Sequence, residues 1–168
     1  MPRLIDIKAA VLSNPWTLLA KDCTLETALA DVGSHLIVPA NLLLAHKKEL
    51  QGTGKQLAVW LDSEQPAHLI ANELEDLPMV ALNFPQFMDG RAYSTAVILR
   101  QTYHYEGEIR AIGDVLRDQL FMMKRCGFST FDLKDTVKLE DAVNAFNDFT
   151  NNYQATIETP EPLFRRRG

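Results

Sequence analysis

From residue 35 onward, short apolar runs alternate with stretches whose apolar positions recur at helical spacing. Residues 35–38, 57–61, 79–84, 109–112 and 128–133 read as strands. Residues 41–50, 66–74, 91–103, 114–126 and 139–151 read as helices. Pro39 closes the first of these strands, and Gly52-Thr53-Gly54 closes the first helix with residues that tolerate a left-handed backbone. Upstream, residues 16–20 form an apolar run expected as a strand. Residues 25–32, bounded by Gly33, suggest a short helix or turn, and the chain up to Ser13 a peripheral lead-in.

Strands alternating with helices at this spacing predict βαβ units and a parallel sheet. The expected fold is therefore α/β: a single domain with a mainly parallel sheet of about five strands alternating with helices. Five strands cannot complete an eight-stranded barrel, so an open sheet or a partial barrel remains. The domain is expected over residues 1–158, with a lead-in at 1–33 and the βα core at 34–151. Residues 159–168 read as a mobile basic tail.

Composition narrows the function classes. The 168 residues carry a net charge of -5, which argues against a general nucleic-acid binder. No apolar stretch approaches the roughly 20 residues that span a bilayer, and the start lacks a secretory pattern, so a cytoplasmic protein is expected. Two cysteines, Cys23 and Cys126, are too far apart for a CxxC and too few for an iron–sulfur cluster. His35, His46, His68 and His104 show no metal-ligand spacing, so no metal site is expected. Gly52-Thr53-Gly54-Lys55 lacks the full phosphate-loop motif, and neither GxGxxG nor GxSxG occurs.

Ligands of parallel α/β folds collect where strands end and helices begin. That rule singles out 84–94, with Gly90 permitting a tight turn and Arg91 and Ser94 offering donors to an anion beside helix-terminal amides. Alternatively, Asp89 caps the helix and Arg91 pairs with a local carboxylate. The second candidate is Arg110–Asp114 with the helix that follows. At 100° per residue, Val115, Leu116, Leu120, Met122, Met123 and Cys126 share an apolar arc, opposite Asp114, Arg117, Asp118, Lys124 and Arg125.

Gln119 breaks that arc, and its amide must bond backbone or reach a ligand. Phe121 breaks the charged face. It is either a docking spot ringed by Arg117, Lys124 and Arg125, or is covered by another segment such as Leu163-Phe164. Asp114 and Asp118 stand one turn apart, either as a proton-sharing pair or as a helix cap with salt bridges to Arg117 and Arg125. Cys126, at a helix C-terminus, is a poor nucleophile. The Arg165–Arg167 run reads as a solvated tail.

The stretches 84–94, 107–120 and 125–128 closely resemble an uncharacterised bacterial family, domain of unknown function 934. The resemblance runs from about residue 35 to 151 and is clearest over 79–133. Members of that family are typically encoded beside the sulfite-reductase hemoprotein and labelled probable oxidoreductases. The resemblance thus implies an accessory protein of assimilatory sulfite reduction, and on the reading of the charged helix face it would dock on the hemoprotein through Arg117, Phe121, Lys124 and Arg125. An anionic group would bind at Arg91, Ser94, Arg110 and Gln119, and any redox role would need a borrowed or non-covalently bound cofactor, whose identity the sequence does not give. Two alternatives stand beside this: a small enzyme with Asp89 and Asp114 as acid or base, and a homodimeric scaffold.

Overall fold

The computed structural model describes residues 3–146. The end of the helix expected to residue 151, the 159–168 tail and Leu163-Phe164 lie outside them. Each expected strand is present, and the described residues form one seven-stranded sheet in the order β1-β7-β6-β5-β4-β3-β2. The strands are β1 (Leu4–Asp6), β2 (Trp16–Leu18), β3 (His35–Pro39), β4 (Gln56–Leu61), β5 (Met79–Phe84), β6 (Glu108–Gly113) and β7 (Thr130–Asp132). From β2 to β7 all pairs are parallel, and β1 pairs antiparallel with β7. The lead-in is thus not peripheral: Leu4 and Ile5 are buried in the sheet. Three residues are too short for an alternation to be read.

The strand order never reverses, and this decides where the helices go. Parallel crossovers are right-handed, so each connection falls on the same face. These are α1 (Leu25–Ala30), α2 (Ala40–Gln51), a 3₁₀ segment (Ala67–Asp76), α3 (Arg91–Gln101), and a second 3₁₀ segment (Arg117–Gln119) with α4 (Leu120–Cys126); α5 (Leu139–Ala145), after β7, packs on the same face. Their buried residues, such as Ala28, Leu43, Ile70, Leu99 and Met123, join Leu36, Val59, Val80, Ile109 and Phe131 of the strands in one large core. The alternate strand positions Ile37, Ala58, Trp60, Met79, Ala81 and Ile112 make a smaller cluster on the other face. Side chains alternate across a strand, so these two clusters are the two faces of the sheet.

That second face is concave. Flat, the edges β1 and β2 would stand six spacings, about 29 Å, apart. Yet Val11 bridges Ile5 beside β1, and only five residues later the chain is at Trp16 of β2, a reach of at most about 17 Å. The sheet must curl, and Asn14 Oδ1 accepts from Arg110 Nη1 at 3.0 Å across the interior, from one side of the curl to the other. Of the two architectures left open by the pattern, the curled one, an open partial barrel, is realised.

The helix expected over 114–126 starts late. Gly113 takes a left-handed backbone, φ 90°, the Asp114 N–H donates to Phe84 O at 2.7 Å, and Leu116 is extended. These tie residues 113–116 to β5, and the α-helix proper begins at Leu120. Its apolar face shifts accordingly: Met122 is exposed while Arg125 is buried. Asp114 is consequently neither an N-cap nor one helical turn from Asp118.

Candidate functional site

With no reversal of strand order there is no crevice between oppositely wound halves, and the mouth formed by the carboxyl ends of the strands is the remaining place for a site. At the ends of β2, β4 and β5 the mouth carries a connected polar network. Asp62, the first residue past β4, accepts from Lys21 Nζ at 2.6 Å, Asn83 Nδ2 at 3.0 Å and the Ser63 N–H at 2.9 Å. Burial opposes ionisation of Asp62, but these bonds outweigh it and hold the carboxyl below its ordinary range. Lys21 also reaches Glu64 at 3.1 Å.

Beside this network, at the ends of β5 and β6, opens a cleft of about 420 Å³ lined by Asn83, Phe84, Pro85, Gln86, Gly113, Asp114 and Lys134. Asp114 forms an ion pair there with Lys134. Gly113 is required at its floor: a Cβ would stand 2.4 Å from Asn83 Oδ1 and 2.5 Å from Phe84 O.

Of the residues singled out by the sequence, Asp89 and Arg91 meet each other. Arg91 donates to Asp89 through Nε at 3.0 Å and Nη2 at 2.7 Å, while the Arg91 N–H donates to Asp89 Oδ1 at 3.2 Å. Asp89 therefore accepts from the first amide of α3, whose N-cap is Gly90, and neutralises Arg91, whose Nη2 also reaches Ser63 Oγ at 3.0 Å. The guanidinium holds the Asp89 carboxyl far below the carboxylate range. Ser94 is exposed on α3.

Arg110, 3 % exposed, points to the concave face, opposite to α3, and is held by Glu108 at 2.9 Å and by Asn14. Glu108 also accepts from Thr130 Oγ1. On the same face burial raises the carboxyl of Asp132, partly offset by Arg110 and Arg3. Gln119 is 5 % exposed and bonds backbone on both sides: its Nε2 donates to Phe87 O at 3.2 Å and its Oε1 accepts from the Leu116 N–H at 3.0 Å. It lies beside Tyr93, whose hydroxyl is pushed up to about 12 by burial. The four residues expected to gather around an anion are thus split between the two faces of the sheet.

The expected docking face is similarly altered. Arg125 lies 5.6 Å from the Phe121 ring centroid, and Lys124 lies 6.0 Å from that of Phe146. Arg117 pairs with Asp118 at 3.2 Å. Burial raises the Cys126 thiol above its ordinary range, in keeping with a poor nucleophile. Among the described residues no three His, Cys, Asp or Glu side chains are placed to hold a metal ion, and no helix is long and apolar enough to cross a membrane.

Lys21, Asp62, Asn83 and Lys134 escaped the sequence reading. Asp62 and Asn83 were accessible to it, since each ends or follows an apolar run, where the strand-end rule applies. Lys21 and Lys134 were accessible in the same way, directly after the apolar runs 16–20 and 128–133, but their partners were not, because strand order alone brings Lys21 to Asp62 and Lys134 to Asp114.

The model of the family described as "Bacterial protein of unknown function (DUF934)" matches residues 58–164, well over half of the chain. The chain belongs to this family. The match begins in β4, later than the resemblance at residue 35 suggested, and takes in Asp62, Asn83, the cleft and the Asp89–Arg91 pair, but not Lys21 or Asn14. No curated protein matches the chain.

Proposed function

We propose that this chain is an accessory protein of assimilatory sulfite reduction that docks on the sulfite-reductase hemoprotein through the loop following β5. One observation carries the docking part: Phe87 and Met88 are 46 % and 86 % exposed on a loop that is not slack. The Asp89 N–H donates to Gln86 O at 3.0 Å, Gln119 holds the Phe87 carbonyl, and the Asp89–Arg91 pair fixes the far end. Lone exposed apolar residues are ordinary, but two neighbours held outward by polar bonds form an anchor of the kind found at interface centres. Burying Met88 recovers about 2 kcal/mol and the exposed part of Phe87 about 1 kcal/mol, and the thioether of Met88 adapts to an irregular partner surface. The loop replaces the Phe121 face as the docking element because Arg125 is buried behind that face. The choice of partner is supported by the family resemblance.

The test is titration calorimetry of the hemoprotein of the same host with the wild-type chain and with Met88→Asp. The substitution is expected to weaken binding at least tenfold, with the melting temperature unchanged. Equal affinity of the two chains removes the loop from the interface, and no binding by the wild type overturns the accessory role.

A second reading, a small-ligand site, is favoured by the cleft itself. Its volume lies within the roughly 300–1,000 Å³ of small-molecule sites, and it sits where this architecture puts them.

A further inference from the structure

We infer that the cleft between β5, β6 and Lys134 takes a small zwitterion of the α-amino-acid class rather than a simple anion. This rests on the reading of the cleft as a ligand site; the cleft shares Pro85 and Gln86 with the loop after β5 but does not use Phe87 or Met88.

The charges of the lining decide the class. The lining contains one cation, Lys134, and one anion, Asp114, paired with each other at the wall of the cleft. Both remain open to solvent, Lys134 at 48 % and Asp114 at 18 %. A bare anion entering here is attracted by Lys134 and repelled by Asp114 at a similar distance, so the two contributions largely cancel. A bare cation meets the same cancellation with the signs reversed. A ligand carrying both charges a few ångströms apart gains from both partners: its carboxylate faces the ammonium of Lys134 and its ammonium faces Asp114. The valence count agrees. Of the three N–H donors of Lys134, one is given to Asp114 and the ammonium bonds no other described residue, while Asp114 accepts through Oδ1.

The rest of the cleft fits a small polar molecule. Gln86 lines it, and its side-chain amide bonds no described residue, so a donor and an acceptor are at hand for the ligand. Asn83 is oriented by its bond to Asp62 and faces Gly113 with its oxygen. Pro85, Gly113 and the backbone of Phe84 form the floor, the Phe84 ring being buried in the core, and the missing side chain of Gly113 leaves room directly above the β5–β6 register pair Phe84↔Gly113. The floor is firm because the Asp114 N–H is given to Phe84 O.

Saturation-transfer NMR and calorimetry on the full chain test the assignment. The probes are the twenty standard α-amino acids, the matched amines lacking the carboxylate, the matched carboxylic acids lacking the amine, and sodium sulfite. At least one amino acid is expected to bind tenfold or more tighter than its own amine and its own acid. Lys134→Gln should abolish the preference over the amine, and Asp114→Asn the preference over the acid. Each variant removes one partner of an ion pair that is open to solvent on the Lys134 side, so both should melt close to the wild type. Equal or tighter binding of sulfite or of the bare acids overturns the zwitterion while leaving a ligand site. Binding of none of the probes overturns both. Neither result bears on affinity for the hemoprotein, which the Met88 experiment reads separately.

Discussion

Arg91 and Arg100 sit at opposite ends of the same helix, α3, and are used in opposite ways. Arg100, toward the amino ends of the strands, meets neutral acceptors: Gly127 O at 3.0 and 2.9 Å, Tyr105 O at 2.6 Å, Gly107 O at 2.8 Å and Ser129 Oγ at 3.2 Å. Burial pulls its pKa down, with no carboxylate to counter it. Arg91, toward the carboxyl ends, stands largely in solvent with a bidentate carboxylate. A guanidinium saturated by carbonyls joins the α3–β6 and α4–β7 loops and cannot be displaced without orphaning them. An exposed ion pair can exchange its partner at little cost. The amino-terminal end of the sheet is a clamp, and the carboxyl-terminal end is where rearrangeable charge is kept.

The sharpest way to break this comparison is Arg100→Ala. Removing the clamp leaves several partly buried carbonyls without donors and is expected to cost about 3 kcal/mol, read as a lower urea midpoint. A loss too small to resolve would mean that the two ends are alike. Next in size is Gly113→Ala at the mouth. A left-handed backbone at a non-glycine residue costs about 1–3 kcal/mol, and the contacts with Asn83 and Phe84 add to it, so about 2 kcal/mol is expected, with chemical-shift changes at Asn83 and Asp114. Wild-type stability in this variant would show that the β5–β6 ends are free to part.

The smallest effect is expected on the concave face. Asp132 has its carboxyl raised by burial, so the folded state holds the proton more tightly than the unfolded chain. Stability attributable to this group is therefore lost as pH rises through its unfolded and then its folded pKa, and regained on acidification. Asp132→Asn should raise the melting temperature at neutral pH, and the gain should shrink below about pH 4, where the wild-type acid is protonated in both states. A variant less stable than wild type at neutral pH would show that Arg110 and Arg3 outweigh burial at this position.

The sequence was most informative where period and punctuation agree. Residues 79–84 and 109–112 read as strands because buried parallel strands are continuously apolar, and β5 and β6 occupy those positions. The same logic found the loop after β5, and from the place of Gln119 among apolar neighbours it followed that its amide bonds backbone or a ligand, of which the backbone is what it bonds. It failed at residues 114–119, where helical spacing is present in the letters but Gly113 and the bond from Asp114 to Phe84 turn the chain aside. It also failed to separate Arg110 from Arg91, Ser94 and Gln119, because the alternation within β6 sends the Arg110 side chain to the concave face, away from α3.

What the sequence by itself determined is therefore local: which segments are strands, that they alternate with helices, and that charge and glycine gather at the turn after residue 84. Those are properties of side-chain periodicity and backbone freedom, which neighbouring residues carry. The tertiary structure alone decided that the sheet curls, that Lys21 meets Asp62 across 41 positions and that Lys134 meets Asp114 across 20. Such pairings depend on strand order and curvature. These arise from packing all the helices on one face, and no local pattern encodes them.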